Sequence, residues 1–390
     1  MARIVLLAPS YPFPPRGGIQ LRVHSFIERL TPRYGVDLLC FDDEPERPAP
    51  PAGVRVTRAP YPQVRGTGGW RQFLNPTPTL VRRFRSVEME RRLRERDWSD
   101  VVALHAETLQ LGQYLPLAPA GVPRLLFNDN VESRILERLA ATRRGLKRLY
   151  WSREAGKLAS AEGRLMRLAD LVVAVSEVDA AEFRRLLPAE KVRVAPLLLD
   201  LSAFRAVASE PPAQPPRLTF VGSFDWHVNE AAALWLVNEV WPLIREPCPE
   251  AELYLVGRNP TAAVRALGEA PRVVVTGTVE DVAAYVGASA AMLVPLRYGS
   301  GMRSKILEAW AARRPVVSTT VGCEGLPAKD GENLWVADEA AAFAEACVAV
   351  LQVPERSRAL VECGAATGEA FERQAEDAFR AAYAAVGLPL

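Results

Sequence analysis

A glycine-rich loop that runs into a basic helix is the segment of this sequence best suited to hold a phosphorylated ligand. The loop follows an apolar strand that ends at Val294, and Arg303 and Lys305 come directly after its glycines. Glycines let a ligand approach the backbone, the free N–H groups of a helix start attract anions, and the two cations add fixed positive charge. This combination predicts a diphosphate site with the loop residues Gly299, Ser300, Gly301 and Met302.

A carboxylate follows on the same predicted helix. Glu308 lies one turn after Lys305, on roughly the same face. In that position a carboxylate can accept hydrogen bonds from both hydroxyls of a ribose, so the segment suits a nucleoside diphosphate. For this loop taken alone, a glycine-containing turn with ordinary surface charges is the alternative interpretation.

Two polar residues follow an apolar strand in the N-terminal half. Val101–Leu104 predicts a buried strand, so His105 should begin the loop at its carboxyl end, with Glu107 two residues further on. A histidine in such a loop could act in catalysis or contact a sugar, because its pKa lies near neutrality. A structural hydrogen bond is the alternative. We take His105 as a candidate catalytic residue.

The N-terminal half alternates apolar strands with helical patterns. Ile4–Ala8 predicts a buried parallel strand, and Gly18–Leu30 predicts an amphipathic helix. The further predicted strands are Val36–Phe41, Val101–Leu104, Leu125–Phe127, Leu171–Val175 and Val192–Ala195. Such alternation predicts an α/β domain with a doubly wound parallel sheet.

The pattern restarts after a proline-rich stretch. Residues 210–217 read Glu-Pro-Pro-Ala-Gln-Pro-Pro-Arg, a composition that opposes regular structure and predicts an extended linker. The strands predicted after it are Leu218–Val221, Ala251–Val256, Val273–Thr276, Ala291–Val294 and Pro315–Ser318. The predicted organisation is therefore a Rossmann-like domain over 1–199, a linker over 200–217, a second Rossmann-like domain over 218–367 and a helix over 368–390 that packs back on the first domain. Two such domains should face a cleft, with the functional residues in its loops.

Several segments resemble the large family of retaining glycosyltransferases with the GT-B fold, of the group 1 or family 4 type, and the resemblance covers nearly the whole chain. They are Phe220–Glu230, Leu255–Arg258, Val275–Val279, Pro295–Ala311, Pro315–Thr319 and Gly322–Gly325. The resemblance implies that Glu308 binds the donor ribose and that the glycine loop and basic residues hold the diphosphate. The other donor-binding residues that we infer from it are Gly222, Ser223, Gly257, Arg258, Thr278 and Val279.

The N-terminal half carries two weaker parts of the resemblance. Pro14–Ile19 resembles the family's glycine loop beside the donor, which implies donor contacts at Gly17 and Gly18, although a turn with a helix cap is an equal alternative. Asn128–Glu132 resembles a His-Asn-Val-Glu segment of the family, with an aspartate in place of the histidine. The acceptor-binding candidates in this half are Glu107, Asn130 and Glu132.

The sequence also departs from the family pattern. Ser300 stands where the family commonly has a glutamate, Ser223 where it has an arginine, and Val228-Asn229 where it has a lysine. We expect Arg303 and Lys305 to neutralise the leaving diphosphate instead, and we assign them catalytic roles. No Asp-x-Asp pair is present, so the prediction is a metal-independent reaction with no cofactor beyond the nucleotide-sugar.

Composition limits the partners. The net charge of +2 gives no general attraction to nucleic acid, and the five scattered cysteines indicate a reducing cytoplasm. The chain begins with an apolar run too short for a signal peptide, and no run of about 18 apolar residues occurs. Arg65–Arg96 has nine arginines against three glutamates, and Arg143–Lys157 has six basic residues against one glutamate. These clusters are either solvated helix faces or a surface for peripheral contact with an anionic membrane.

The resemblance implies transfer of a sugar, with retention, from a nucleotide-diphosphate sugar to an acceptor hydroxyl on a polysaccharide, a lipid-linked or a small molecule. Two alternatives share the architecture. One is a sugar-nucleotide epimerase, and the other is a non-catalytic protein that binds a sugar nucleotide, an option raised by Ser300.

Overall fold

The computed structural model describes residues 1–15, 18–62, 70–299 and 304–390, without the side chains of residues 70, 71, 354 and 356. Five of the predicted site residues therefore lie outside the described residues: Gly17, Ser300, Gly301, Met302 and Arg303. The chain forms two compact units, one of residues 1–200 with 374–390 and one of residues 201–373.

Unit 1, residues 1–200 with 374–390, is built on a seven-stranded parallel sheet of order β3-β2-β1-β4-β5-β6-β7. Its strands are β1 (Arg3–Ala8), β2 (Gly35–Phe41), β3 (Val54–Ala59), β4 (Val101–Glu107), β5 (Arg124–Asn128), β6 (Leu171–Ala174) and β7 (Val192–Val194). β1 lies near the centre of this sheet and is buried on both faces, which its continuous apolar run explains. Even Arg3 is buried there, because its guanidinium pairs with Asp37 on β2.

Helices cover both faces of this sheet. They are α1 (Gly18–Leu30), α2 (Trp70–Leu74), α3 (Thr79–Arg83), α4 (Val87–Arg94), α5 (Glu132–Ala141), α6 (Gly145–Met166) and α7 (Glu177–Phe183), with short 3-10 helices at Leu109–Leu117 and Ala189–Lys191. The apolar stripe of α1 buries Val23, Phe26, Ile27 and Leu30. This stripe fixes the helix on the sheet, because burial of each large apolar side chain contributes about 1.5–3 kcal/mol.

Unit 2, residues 201–373, has a six-stranded parallel sheet of order β10-β9-β8-β11-β12-β13. The strands are β8 (Arg217–Val221), β9 (Glu252–Val256), β10 (Val273–Gly277), β11 (Ala291–Val294), β12 (Val316–Ser318) and β13 (Trp335–Val336). Its helices are α8 (Ser202–Ala206), α9 (His227–Trp235), α10 (Trp241–Arg245), α11 (Ala262–Ala266), α12 (Val282–Gly287), α13 (Ser304–Ala311), α14 (Ala340–Gln352) and α15 (Pro354–Ala384), with a π-helical turn at Leu236–Val240 and a 3-10 turn at Leu267–Glu269. The final part of α15, from Gln374, belongs to unit 1.

The fold class predicted from the sequence is confirmed, and most strands lie within one or two residues of their predicted bounds. Two edge strands were not predicted: β3 alternates apolar with charged residues, and β13 has only two residues. The linker prediction was wrong in one part, because Ser202–Ala206 forms helix α8, whose Phe204 is buried. Within the described residues, no helix is both long and apolar enough to cross a lipid bilayer.

Candidate functional site

In unit 2, the loops predicted to bind a donor leave one edge of the sheet. The order of the strands reverses between the neighbours β8 and β11, and such a switch point is where open parallel sheets bind ligands. Gly222 follows β8, and Gly299 follows β11. The other predicted residues follow the next two strands, with Gly257 and Arg258 after β9 and Thr278 and Val279 after β10. Parallel pairing therefore brings the described members of the predicted donor set that belong to unit 2 to one edge of its sheet.

Two glycines bring the ends of β8 and β9 into close contact. A Cβ on Gly257 would lie 1.7 Å from the carbonyl oxygen of Gly222, and the Gly257 φ of 148° is unfavourable for other residues. A Cβ on Gly222 would lie 3.0 Å from the side chain of Asn229. Only glycine fits at position 257, and a side chain at position 222 would require Asn229 to shift, so the two loops form one packed surface.

Polar contacts join these loops. Ser223 Oγ accepts a 3.0 Å hydrogen bond from Arg258 Nε and donates one of 2.6 Å to Asp225 Oδ1. Partial burial acts to raise the pKa of Asp225, but hydrogen bonds from Ser223 and Asn259 and the charge of Arg258 lower it overall. Ser223 and Arg258 therefore hold each other, with the exposed guanidinium of Arg258 fixed beside Ser223.

Lys305 is tied to the β8 loop by Asn229 of α9. Lys305 Nζ donates a 3.0 Å hydrogen bond to Asn229 Oδ1, and Asn229 Nδ2 donates one of 2.9 Å to the carbonyl of Ser223. The ammonium also lies 5.1 Å from the centroid of the Phe220 ring, a distance at which the ring face attracts a cation. Asn229 is buried, so the ammonium is held on one side by a fixed amide. The sequence analysis treated Asn229 only as a departure from the family pattern and missed this contact.

Glu308 is a buried carboxyl one turn further along α13. Its side chain is only 5% exposed. Burial raises the pKa of Glu308, while a hydrogen bond with Ser304 and the positive charge of Lys305 act in the opposite direction. A buried carboxylate next to a cation is well suited to accept hydrogen bonds from ligand hydroxyls, because these replace the water that it has lost.

In unit 1, His105 lies inside β4 and not in a loop. The prediction that the strand ends at Leu104 was wrong, since β4 continues to Glu107. The ring of His105 is fully buried, stacks on Phe127 at 4.3 Å, and shares a 2.6 Å hydrogen bond between Nδ1 and the hydroxyl of Tyr383. Burial lowers the pKa of His105, which favours a neutral ring. A catalytic role for His105 stays a prediction. Its contacts with Phe127 and Tyr383 are those of a residue that positions its neighbours.

Glu107 is the neighbour that His105 positions. Its Oε2 lies 3.3 Å from His105 Nε2, and its Oε1 pairs with the guanidinium of Arg22 on α1. Arg22 is 2% exposed and also lies 3.5 Å from Asp129. Among the described residues, Arg22 Nε and Asn128 Oδ1 are buried without a hydrogen-bond partner. Buried polar groups normally have partners, so this edge of the unit 1 sheet is suited to a polar ligand.

Asn130 and Glu132 follow β5 at the same edge. Burial and the charge of Asp129 raise the pKa of Glu132 to about 8, although a hydrogen bond with Asn130 opposes the shift. Glu132 is therefore largely protonated at neutral pH. At the start of α1, Gly18 is exposed, and its contact with the donor stays a prediction.

Two family models cover most of the chain. Residues 17–197 match the glycosyl transferase 4-like domain, and residues 215–353 match the glycosyl transferases group 1. The chain belongs to the group 1 glycosyltransferases. Its two parallel-sheet units are the two domains of the GT-B fold.

Solved structures share the fold of this glycosyltransferase. Sucrose-phosphate synthase from Thermosynechococcus elongatus is 20% identical, with a TM-score of 0.71 over 99% of this chain and 100% of that one. The Anabaena protein HepE, solved in complex with UDP-glucose, is 14% identical, with a TM-score of 0.66 over 98% of this chain and 100% of that one.

A curated relative matches over a shorter stretch. It is named "Uncharacterized 44.6 kDa protein in cps region" of Klebsiella pneumoniae and is 26% identical over 134 residues, or 32% of this chain. The match spans about a third of that relative, 34% of its length.

Proposed function

We propose that this glycosyltransferase takes a sugar from a nucleotide-diphosphate sugar bound by unit 2 and transfers it to an acceptor hydroxyl with retention of configuration. The observation that carries the proposal is the arrangement of Asn229, Lys305 and Glu308 beside the switch point of the sheet. A cation for the diphosphate and a buried carboxylate for the ribose then lie one helical turn apart. The UDP-glucose complex of HepE makes UDP-sugars the first donors to test.

In the proposed reaction, Lys305 stabilises the negative charge that develops on the diphosphate as the glycosidic bond breaks. Arg303, two residues earlier in the sequence, is the second cation. A fixed ammonium in a partly buried site stabilises that charge without reorganisation, which is the largest electrostatic task of such a transfer. The leaving phosphate oxygen takes the proton of the acceptor hydroxyl. The proposal therefore requires neither a bound metal nor a carboxylate base.

A donor screen tests this proposal. Nucleoside diphosphate release is measured for UDP-, GDP- and ADP-sugars, with and without candidate acceptors, and NMR of the product gives its anomeric configuration. K305M should lower kcat by roughly 100-fold or more, comparable to the loss of one donor to a developing anion. The control K329M removes an exposed lysine that pairs with Glu332 and should leave turnover unchanged.

The same screen separates the alternatives. Epimerisation at C2 of the sugar without an acceptor would replace the proposal with an epimerase. Nucleotide binding with neither reaction would indicate a non-catalytic binding protein, and an inverted product would contradict retention.

We further propose that one basic segment of unit 1 contacts an anionic membrane, so that the acceptor is at or near a lipid surface. In the cluster over residues 82–96, the arginines of α4 pair with nearby acids, as Arg91 and Arg92 do with Glu88, whereas the exposed Arg83 and Arg85 form no ion pair with any described residue. In the part of the chain that the structure describes, four other basic side chains form no ion pair: those of Arg143, Arg144, Lys147 and Arg148. The larger group of unpaired basic side chains is therefore at the start of the second cluster.

Exposed leucines accompany these free charges. Leu146 is 77% exposed and Leu149 56% exposed in the first turn of α6. Leu74 of α2, 68% exposed, belongs to a segment held beside α6 by a hydrogen bond from Arg153 to the carbonyl of Phe73. Apolar side chains among basic ones on a helix are typical of surfaces that lie in the membrane interface. The lipid would attract each basic residue by on the order of 1 kcal/mol.

Liposome flotation tests the membrane proposal. The protein should float with anionic but not neutral vesicles and should be released by salt, because the attraction is screened beyond about 8 Å at physiological ionic strength. L146S/L149S should abolish flotation. V87S, which removes an equally exposed side chain (83%) from the start of α4, is the matched control and should float like the unaltered protein. Equal absence from both vesicle types would contradict the proposal and indicate a soluble acceptor.

A further inference from the structure

Three potential metal ligands meet on the surface of unit 1. His24 and Glu28 occupy successive turns of α1, and Asp200 is the last residue of unit 1 before the chain continues into unit 2. One ligand atom from each residue lies within 4.8 Å of both others. The imidazole, carboxylate and carboxylate set matches the nitrogen and oxygen donors that Zn²⁺ accepts.

The contacts of His24 favour a cation over a plain ion pair. His24 Nδ1 lies 3.7 Å from Glu28 Oε2, which is too long for a hydrogen bond. Among the described residues, this nitrogen is buried and has no hydrogen-bond partner. The ring is held in place by an edge contact with Phe13, whose centroid lies 5.6 Å away. A metal ion between His24 and Glu28 would give both His24 Nδ1 and the Glu28 carboxylate a bonding partner.

The distances fit a small divalent ion. Ligand bonds of about 2.05 Å in a tetrahedral zinc site place the ligand atoms about 3.4 Å apart. The separation of 3.7 Å between His24 and Glu28 is close to this value, and the Glu28 side chain is 47% exposed, so it can adjust. Arg29 lies 4.0 Å from Glu28 but is engaged by Glu376 of α15, which leaves the Glu28 carboxylate available.

We propose that His24, Glu28 and Asp200 bind one divalent transition-metal ion, best satisfied by Zn²⁺, with water in the remaining positions. Such an ion would link the middle of α1 to the residue at which the chain leaves unit 1. The proposed role of the ion is to hold α1, which starts at Gly18, in place. The ion would take no part in sugar transfer.

Calorimetric titration of the tag-free full-length protein with Zn²⁺, after treatment with chelator and its removal, tests the proposal. We expect one site per chain and a rise of the Tm on saturation of at least about 2 °C, since a ligand that binds only the native state stabilises it. H24A, E28Q and D200N should each weaken binding by at least about tenfold, because loss of even an outer-shell partner of a metal costs roughly 10- to 100-fold.

A restoring variant separates ligation from a purely structural effect. E28H puts a second imidazole in place of the carboxylate and should bind Zn²⁺ at least as tightly as the unaltered chain. E137Q, which alters an exposed glutamate on α5 that pairs with Arg134, is the matched control and should bind normally. Circular dichroism confirms that each variant is folded. Absence of a one-to-one site in the unaltered protein, or unchanged affinity in E28Q, would overturn the proposal, whatever the outcome of the donor screen.

Discussion

At the scale of single residues, a buried amide and a buried carboxyl define the proposed donor site. Asn229 connects the ammonium of Lys305 to the carbonyl of Ser223, so a displacement of either loop changes the position of the charge. Glu308 lies one turn further along α13, and its pKa is raised because it is buried. A buried carboxyl with a raised pKa lowers the stability of the free protein at high pH, and a bound ligand would offer it further hydrogen bonds.

Exchange of Glu308 for glutamine separates binding from folding. E308Q should weaken binding of the cognate nucleotide by about 1.5–3 kcal/mol, since a neutral amide cannot replace two charge-assisted hydrogen bonds to a ribose. Since the folded pKa is raised above the unfolded value, the free native state loses stability as pH rises through the folded pKa. The ligand-free variant should therefore be at least as stable as the unaltered protein at pH 8.

Calorimetry and thermal unfolding measure the two effects. E345Q, an exposed glutamate on α14, is the control and should change neither. An unchanged dissociation constant for E308Q would remove Glu308 from the site.

Glu132 offers a pH-dependent test in unit 1. Its pKa of about 8 exceeds the unfolded value of about 4.3, so its contribution to stability is present in full at low pH and is lost as pH rises through 8. E132Q imitates the protonated form. Relative to the unaltered protein, we expect the variant to gain stability as the pH rises from 5 to 8, because over this range the carboxyl is ionised in the unfolded chain and protonated in the folded one, as measured by urea unfolding. A difference that does not depend on pH would contradict the raised pKa.

At the scale of secondary-structure elements, α15 joins the two units of the chain. Its first residues belong to unit 2, while Phe379 and Tyr383 lie in the core of unit 1. There Phe379 stacks on Phe26 of α1, and the Tyr383 hydroxyl bonds to His105 of β4. The end of this helix therefore helps to fix the strand that carries His105 and Glu107.

Removal of one hydroxyl tests this link. Y383F leaves the buried Nδ1 of His105 without its partner and should lower the free energy of unfolding by about 1–3 kcal/mol. The control Y34F removes an exposed hydroxyl that donates to the carbonyl of Pro389 and should cost less than about 0.5 kcal/mol. Equal stability of the two variants would show that the Tyr383 bond does not support β4.

At the scale of the whole molecule, the net charge of +2 conceals an uneven surface. The arginines of α4 are neutralised by acids on the same helix, whereas the start of α6 presents free cations with exposed leucines. Charge that is neutralised locally contributes little to long-range attraction, so the segment at residues 143–149 should dominate any contact with lipid.

Chelation tests the proposed chemistry on the intact protein. Because the proposed stabilisation of the diphosphate comes from Lys305 and Arg303, turnover should persist in excess EDTA at a temperature well below the Tm. Loss of turnover that Mg²⁺ or Mn²⁺ restores would contradict a metal-independent transfer. A lower Tm with unchanged turnover is the result expected if Zn²⁺ occupies the site at His24.

Local pattern was sufficient to predict the class of fold, because burial imposes strong rules on strands. Continuous apolar runs such as Ile4–Ala8 can only be buried between two layers, and their alternation with helical stripes specifies a doubly wound sheet. The same rules failed for β3, whose alternating charges leave it half exposed, and for α8 in the predicted linker. The predicted roles of the basic loop and Glu308 also rest on local pattern, since their chemistry lies within one short segment.

Tertiary structure alone decided which side chains meet across distant segments. Asn229 and Lys305 are 76 residues apart, and His105 and Tyr383 are 278 residues apart, so no local pattern relates them. His105 was predicted to lie in a loop because the apolar run ends at Leu104. The strand continues through His105 to Glu107, and these polar residues are buried only in the folded chain. Hydrogen bonds and ion pairs are set by distances between atoms, and only the folded chain determines these.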